Sequence, residues 1–295
     1  MNGLPLPPPA TLSTPGPGSM SVSWKTLPPT KIPFGVVARL ETRMFGLASL
    51  QAEGAATPMD SGAGNRYAYN TVHFGVGLGF IMTRTAIKDN LYKSEFKPNT
   101  TSLRISFQQA KEIFGANILN NGATANAAIG GDGLSLLNTA HLVDGGTLGN
   151  RPATDIELSE AALEAAYTAI RGFKNSAGLK VFLRPQLLIV PPALEFVADR
   201  ILYTDGRVGT TNNDENAIKR KGSIPGGYQV MDFLTSTKAW FLKTTAEKGL
   251  TYTEREPFET DMTVDFDTWS IKSKAYERYS FWYRDWRGVY GTYPT

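Results

Sequence analysis

From Val72 the chain reads VHFGVGLGF, which sets Val72, Phe74, Val76, Leu78 and Phe80 on one side and His73, Gly75, Gly77 and Gly79 on the other. A strict period of two predicts a strand with one apolar face and one that a close neighbour can approach. The polar run that follows ends in turn formers, so residues 62–100 read as a long projecting hairpin or loop. The period then changes. Leu103, Phe107, Ala110, Phe114 and Ile118 recur at spacings of four and three up to Gly122, predicting an amphipathic helix over 102–121, about 30 Å long. A second helix starts at Ser159, which can cap it. Leu158 and Leu163 form a hydrophobic staple, Leu163, Ala166, Tyr167 and Ile170 make its buried stripe, and Gly172 ends it.

The stretch KVFLRPQLLIVPP predicts a buried strand running into a helix whose first turn takes Pro191 and Pro192. Leu194, Val197, Ala198 and Ile201 follow at helical spacing. A polar loop spans 203–227, and beyond it the apolar runs YQVMDFL, KAWFLKT and SIKSKAYERYSFWY alternate with turns and read as strands. The class is α+β, with helices in the middle and strands at both ends. Residues 1–33 stand apart: they hold nine of the eighteen prolines and only two charged residues, Lys25 and Lys31. Repeated proline fixes φ and removes backbone donors, so this segment is an extended, polyproline-like arm. Trp24 and Ile32-Pro33-Phe34 are apolar anchors suited to docking, including on another copy, against the plainer reading of a disordered tail without a role.

Composition narrows the function classes. Thirty basic against twenty-seven acidic residues leave +3, far from the excess that makes phosphate neutralisation a protein's main interaction. Without cysteine there is no disulfide framework, thiolate nucleophile or Cys-containing zinc site. No run approaches the roughly 18 apolar residues that span a bilayer, and the first residues lack a signal-peptide pattern, so a soluble protein without membrane partners is expected.

Candidate chemistry is sparse. His73 lies in the first strand with no acid near it in sequence. His141, on a loop with Asp132 and Asp144 nearby, is the only candidate general base or metal ligand of note, against the plainer reading of a structural loop histidine. Glu254, Glu256, Glu259, Asp261, Asp265 and Asp267 offer oxygen ligands in a spacing that matches no known loop, so a solvated acidic surface or an intersubunit salt-bridge face is the alternative to a cation site. Lys219-Arg220-Lys221 is offset by Asp214 and Glu215, and contact between loops competes there with a DNA contact. The stretch YERYSFWYRDWRGVYG, residues 276–291, interleaves aromatics with Arg278, Arg284 and Arg287 as a base-stacking platform does. Equally, Tyr279, Phe281 and Tyr283 alternate with Ser280, Trp282 and Arg284 as in a strand covered on both faces, with Arg284 or Arg287 meeting an acidic group. No catalytic, cofactor-binding or metal residue is assigned, and no cofactor is expected.

In order along the chain, FIMTRTAIKDNLY, KEIFGANILNNG, GDGLSLLNTAHLVDGGTLGNRPAT, LSEAALEAA, LLIVPPALEFVADRIL, NAIKRKGSIPGGYQVMDFL, AWFLKT and YERYSFWYRDWRGVYG resemble the major capsid proteins of tailed bacteriophages, in particular the Mu-like major head protein group. The resemblance covers roughly residues 72–291. It implies the tailed-phage major capsid fold: an N-terminal arm at 1–45; the first part of a peripheral domain at 46–154, with extended loop 62–100 and spine helix 102–121; an axial domain at 155–250; and return strands of the peripheral domain at 251–295. The last aromatic stretch then becomes a peripheral-domain strand rather than a nucleic-acid platform.

The implied function is a non-enzymatic major head protein that assembles into pentamers and hexamers of an icosahedral shell around double-stranded phage DNA, contacting it weakly on the inner face. Implied partners are many copies of itself, separate scaffolding and portal proteins, and a decoration protein. Its place is the virion, assembled in the host cytoplasm. Alternatives are the shell of a cellular nanocompartment on the same fold and, more remotely, a soluble enzyme using His141.

Overall fold

The computed structural model describes residues 38–42, 65–69, 72–89, 92–124, 132–143, 146–206, 215–246 and 249–295, with the backbone course alone for 38–42, 65–69 and 92–97. Most of the proline-rich arm, Asp144, Asp214 and residues 207–213 of the polar loop fall outside them. In chain order the strands are β1 (Ala38–Thr42), β2 (Asn65–Tyr69), β3 (Phe74–Met82), β4 (His141–Val143), β5 (Gly146–Leu148), β6 (Pro185–Val190), β7 (Tyr228–Val230), β8 (Trp240–Thr244), β9 (Leu250–Val264), β10 (Ile271–Tyr283) and β11 (Val289–Thr292). The helices are α1 (Arg84–Lys88), α2 (Tyr92–Asn120), α3 (Glu160–Arg171), α4 (Glu195–Tyr203) and α5 (Ala217–Lys221).

Among the described residues the strands form four sheets: β1-β2, β4-β5, the three-stranded β3-β10-β9 and the four-stranded β11-β8-β6-β7. The four-stranded sheet is lined on both faces because β6 and β8 alternate between two cores. Leu188, Val190, Trp240 and Leu242 point to a core closed by Leu163, Ala166 and Ile170 of α3 and Ala198 and Leu202 of α4. Ile189 and Phe241 point the other way, to a core shared with Ala116 and Leu119 of α2, Tyr252 of β9 and Tyr279, Phe281 and Tyr283 of β10. A strand covered on both faces reads as a continuous apolar run, as LLIV does. Asn150, fully buried, ties the pieces together. Its amide nitrogen lies within hydrogen-bond distance of the carbonyls of Leu136, Trp286 and Val289, and its side-chain oxygen accepts from the Asn138 N–H.

The α3 boundaries follow the sequence reading: Ser159 accepts from the Ala162 N–H, Leu158 and Leu163 share the first core, and Gly172 is the C-cap. Strand β3 matches its period of two. Its apolar face meets α2 through Phe74, whose ring lies 5.0 Å from that of Phe114, while the Tyr276 side chain from β10 lies against Gly75 and Gly77. On the edge strand β9, Pro257 has no N–H to give, and the register with β10 slips there as a bulge.

Two expectations change. The long helix begins at Tyr92 rather than 102, and its 29 residues run about 44 Å. Its first turns are polar and carry Pro98, so they lack the apolar stripe that marks a helix, while helix propagation needs only one bond per added residue. Residues 62–100 accordingly do not form one projecting hairpin: they hold β2, β3, α1 and the start of α2. The two-stranded ribbon is instead β1-β2, whose strands are joined by residues 43–64.

Candidate functional site

His141 opens β4 and is completely buried. Its Nδ1 sits 2.5 Å from Oδ2 of Asp132, and its ring stacks on Trp286 at 4.3 Å with planes 4° apart. Arg287 covers Trp286 at 4.3 Å, and Phe173 meets it edge-on. Burial alone would raise the Asp132 carboxyl, but the hydrogen bond and charge of His141 and the Leu134 N–H hold it below the usual carboxylate value. A general base needs access to a substrate proton, and this ring is sealed beneath Trp286. His141 thus packs as an interior group, bound to Asp132 and stacked on Trp286.

His73 is half-buried, within 3.0 Å of Ser280 Oγ, and burial followed by the charges of Arg255 and Arg278 lowers its pKa, leaving it neutral at pH 7. The acidic run on β9 and the following turn is answered from β10: Lys272 meets Asp265 at 2.9 Å, Lys274 meets Asp261 at 3.4 Å and Arg278 meets Glu256 at 3.7 Å. This is a cross-strand ion-pair surface. Among the described residues no group of three or more acidic or histidine side chains is gathered to hold a metal. The basic cluster forms α5 and is engaged locally: Lys219 with Asp205 at 2.6 Å, Arg220 with Glu215 at 2.6 Å, and Lys221 over the Tyr167 ring at 4.5 Å.

From Tyr279 onward the terminal aromatic stretch is interior, whereas Tyr276 is exposed and lies against Gly75 and Gly77 of β3. Tyr279, Phe281, Trp282, Tyr283, Trp286 and Tyr290 are all buried, so no base can stack on them. Tyr279, Phe281 and Tyr283 face α2 from one side of β10, while Trp282 on the other side donates to Thr253 Oγ1 at 2.9 Å. Arg287 meets Asp285 at 3.0 Å and the Lys174 carbonyl at 2.7 Å, and Arg284 lies over the Trp282 ring.

Sequence reasoning missed two features. One is a buried ion pair between Lys111 of α2 and Glu277 of β10, whose partners are far apart in the chain. The other is a set of large apolar groups left in solvent: Phe182 before β6, Phe196 and Tyr203 on α4, and Phe266 and Trp269 at the turn joining β9 to β10. Trp269 adopts a left-handed φ of 54°, and the Arg84 guanidinium lies 4.9 Å over its ring. The only signal for these was an aromatic off the apolar period, such as Phe196.

The profile of the family described as phage capsid protein matches residues 66–292. No curated protein matches the chain significantly. Among solved structures, a chain of Mycobacterium phage Patience is similar with a TM-score of 0.56 at 8% identity, over 92% of this chain and 84% of that one. The capsid of the myovirus phage XM1 gives 0.51 at 10% identity over 88% and 85%, and a virus-like particle from Pyrococcus furiosus gives 0.51 at 12% over 92% and 91%. Identities this low speak for the fold alone, while the family match extends from β2 to the end of β11 and so takes in both cores. The chain thus belongs to the phage capsid protein family, as a structural subunit of the virion shell.

Proposed function

We propose that the chain closes an icosahedral shell from pentamers and hexamers of itself around double-stranded DNA. One contrast carries this reading: the candidate catalytic histidine is sealed, whereas Phe182, Phe196, Phe266 and Trp269, at separate places on the body, remain in solvent. Large apolar groups spread over several faces suit a subunit covered by neighbours on several sides.

In this scheme α2 is the spine helix, residues 155–250 form the axial domain, and the β3-β10-β9 sheet with the rest of 46–154 and 251–295 forms the peripheral domain. The β1-β2 ribbon is the base of the extended loop, and the residues before it are the arm. Assembly takes place in the host cytoplasm with separate scaffolding and portal proteins, and a decoration protein can bind outside. A net charge of +3 suits weak contact with packaged DNA.

Electron microscopy of the purified protein tests the reading. Capsomers, tubes or closed shells are expected, and a monomer that persists at every salt concentration and pH overturns it. Particles from cells that hold protein cargo instead of DNA would replace the virion by a nanocompartment.

A further inference from the structure

The proline-rich segment and the solvent-facing side of α4 are both left without a role, and their chemistries match. Phe196, Asp199 and Tyr203 lie at i, i+3 and i+7, on one side of α4, and all three are exposed, Phe196 at 74% and Tyr203 at 53%. Beside them stands Tyr228 of β7, with its ring 6.1 Å from that of Tyr203 and tilted by 54°. The Tyr228 hydroxyl reaches Asp199 Oδ1 at 3.5 Å. Gly227, at φ 68°, makes room for this arrangement, since a Cβ there would meet the Tyr203 hydroxyl at 2.5 Å. The two rings form a notch with an acidic edge of Asp199 and Glu195. Arg200, the nearby base, donates from Nε to the Phe196 carbonyl at 3.1 Å.

Paired aromatic rings are the surface on which polyproline helices dock, because the preformed extended chain loses little entropy on binding. Residues 4–10 read LPLPPPA, and the only charges in the first 37 residues are Lys25 and Lys31, opposite in sign to Asp199 and Glu195.

We propose that the aromatic notch of Phe196, Tyr203 and Tyr228 receives the proline-rich N-terminal segment of a neighbouring copy of this chain, with its lysines toward Asp199 and Glu195. The segment joins the body at β1, in a ribbon separate from the sheet that carries β7 and α4. Each copy carries one segment and one notch, so the contact is head-to-tail and repeats around a closed assembly. The neighbouring-copy part rests on the shell reading above.

The test uses the full chain carrying Phe196→p-benzoylphenylalanine, assembled from a mixture of 15N-labelled and unlabelled protein and irradiated. Adducts between position 196 and residues 1–37 that join labelled to unlabelled chains are expected. In the assembled protein without the photoprobe, trypsin should cut after Lys25 and Lys31 about tenfold more slowly than in Tyr203→Ala or Asp199→Lys assemblies. Particles visible by electron microscopy but crosslinked elsewhere, to a co-purified protein or only within one chain, overturn this inference and leave the shell reading standing. Equal trypsin rates in wild type and both variants overturn it as well. A monomer under all conditions overturns both.

Discussion

Lys111 Nζ of α2 lies 2.5 Å from Glu277 Oε2 of β10, with the two side chains only 11% and 1% exposed. The pair sits where the long helix crosses the central strand of the three-stranded sheet. Burial pushes the Glu277 carboxyl above its usual range, Lys111 pulls it back, and Glu254 adds to the rise. Removing one partner of a buried pair strands the other charge. Lys111→Met should therefore cost about 3–5 kcal/mol by urea denaturation, and Lys111→Met with Glu277→Leu should recover most of it. A raised carboxyl takes its proton more readily when folded, so its cost is felt at high pH. The Lys111→Met deficit should shrink as pH falls toward 4.5, the ordinary value.

Asp155 shows the opposite sign. Hydrogen bonds from Arg151, with lesser help from the Tyr293 N–H and the Thr292 hydroxyl, hold its carboxyl below the usual 3.8 against the effect of burial. Its stabilisation is present above 3.8 and is lost as pH falls through that value toward the lowered one. Asp155→Asn should cost about 1–2 kcal/mol at pH 7, and its deficit against wild type should fade below pH 3.8 in parallel denaturation curves.

His141→Ala should act on stability alone. It removes a ring stacked on Trp286 and leaves Asp132 buried without its partner, at a cost of about 3 kcal/mol. Thermal unfolding followed by tryptophan fluorescence reads both consequences, since Trp286 loses its stacking neighbour. His141→Phe should keep the stacked ring and leave only Asp132 unpaired, so it should fall between wild type and Ala.

Local features were legible in the sequence and relations between distant residues were not. Ser159, Gly172 and the stripe Leu163, Ala166 and Ile170 specify α3 from contacts within a few residues, and the alternation from Val72 specifies β3. The start of α2 was hidden because the sequence of its first turns, KSEFKPNTT, is polar and carries no apolar period. The Lys111–Glu277 pair and the Tyr203–Tyr228 notch join residues from different elements, and a position's charge or ring says nothing of which strand will stand opposite. The terminal aromatics were ambiguous until their order was weighed: alternation pointed to a strand, and burial of both its faces in the β10 segment from Tyr279 onward removed the nucleic-acid alternative.

Variants in the turn between β9 and β10 test folding and assembly separately. Phe266 and Trp269 are 92% and 61% exposed, with Val264 and Ile81 open beside them on β9 and β3. A tryptophan held at φ 54° on an exposed turn costs backbone strain, and its ring meets the Arg84 guanidinium at 4.9 Å. Phe266→Ser and Trp269→Ser remove nothing from either core, so each should change unfolding free energy by no more than about 0.5 kcal/mol. If another copy covers the turn, the same changes expose a polar group where apolar area would be buried. Each should then raise the protein concentration needed for assembly about tenfold or more, measured by light scattering and sedimentation. Unchanged assembly in both variants would leave the turn as solvent-facing surface, and a large loss of stability would place it within the fold instead.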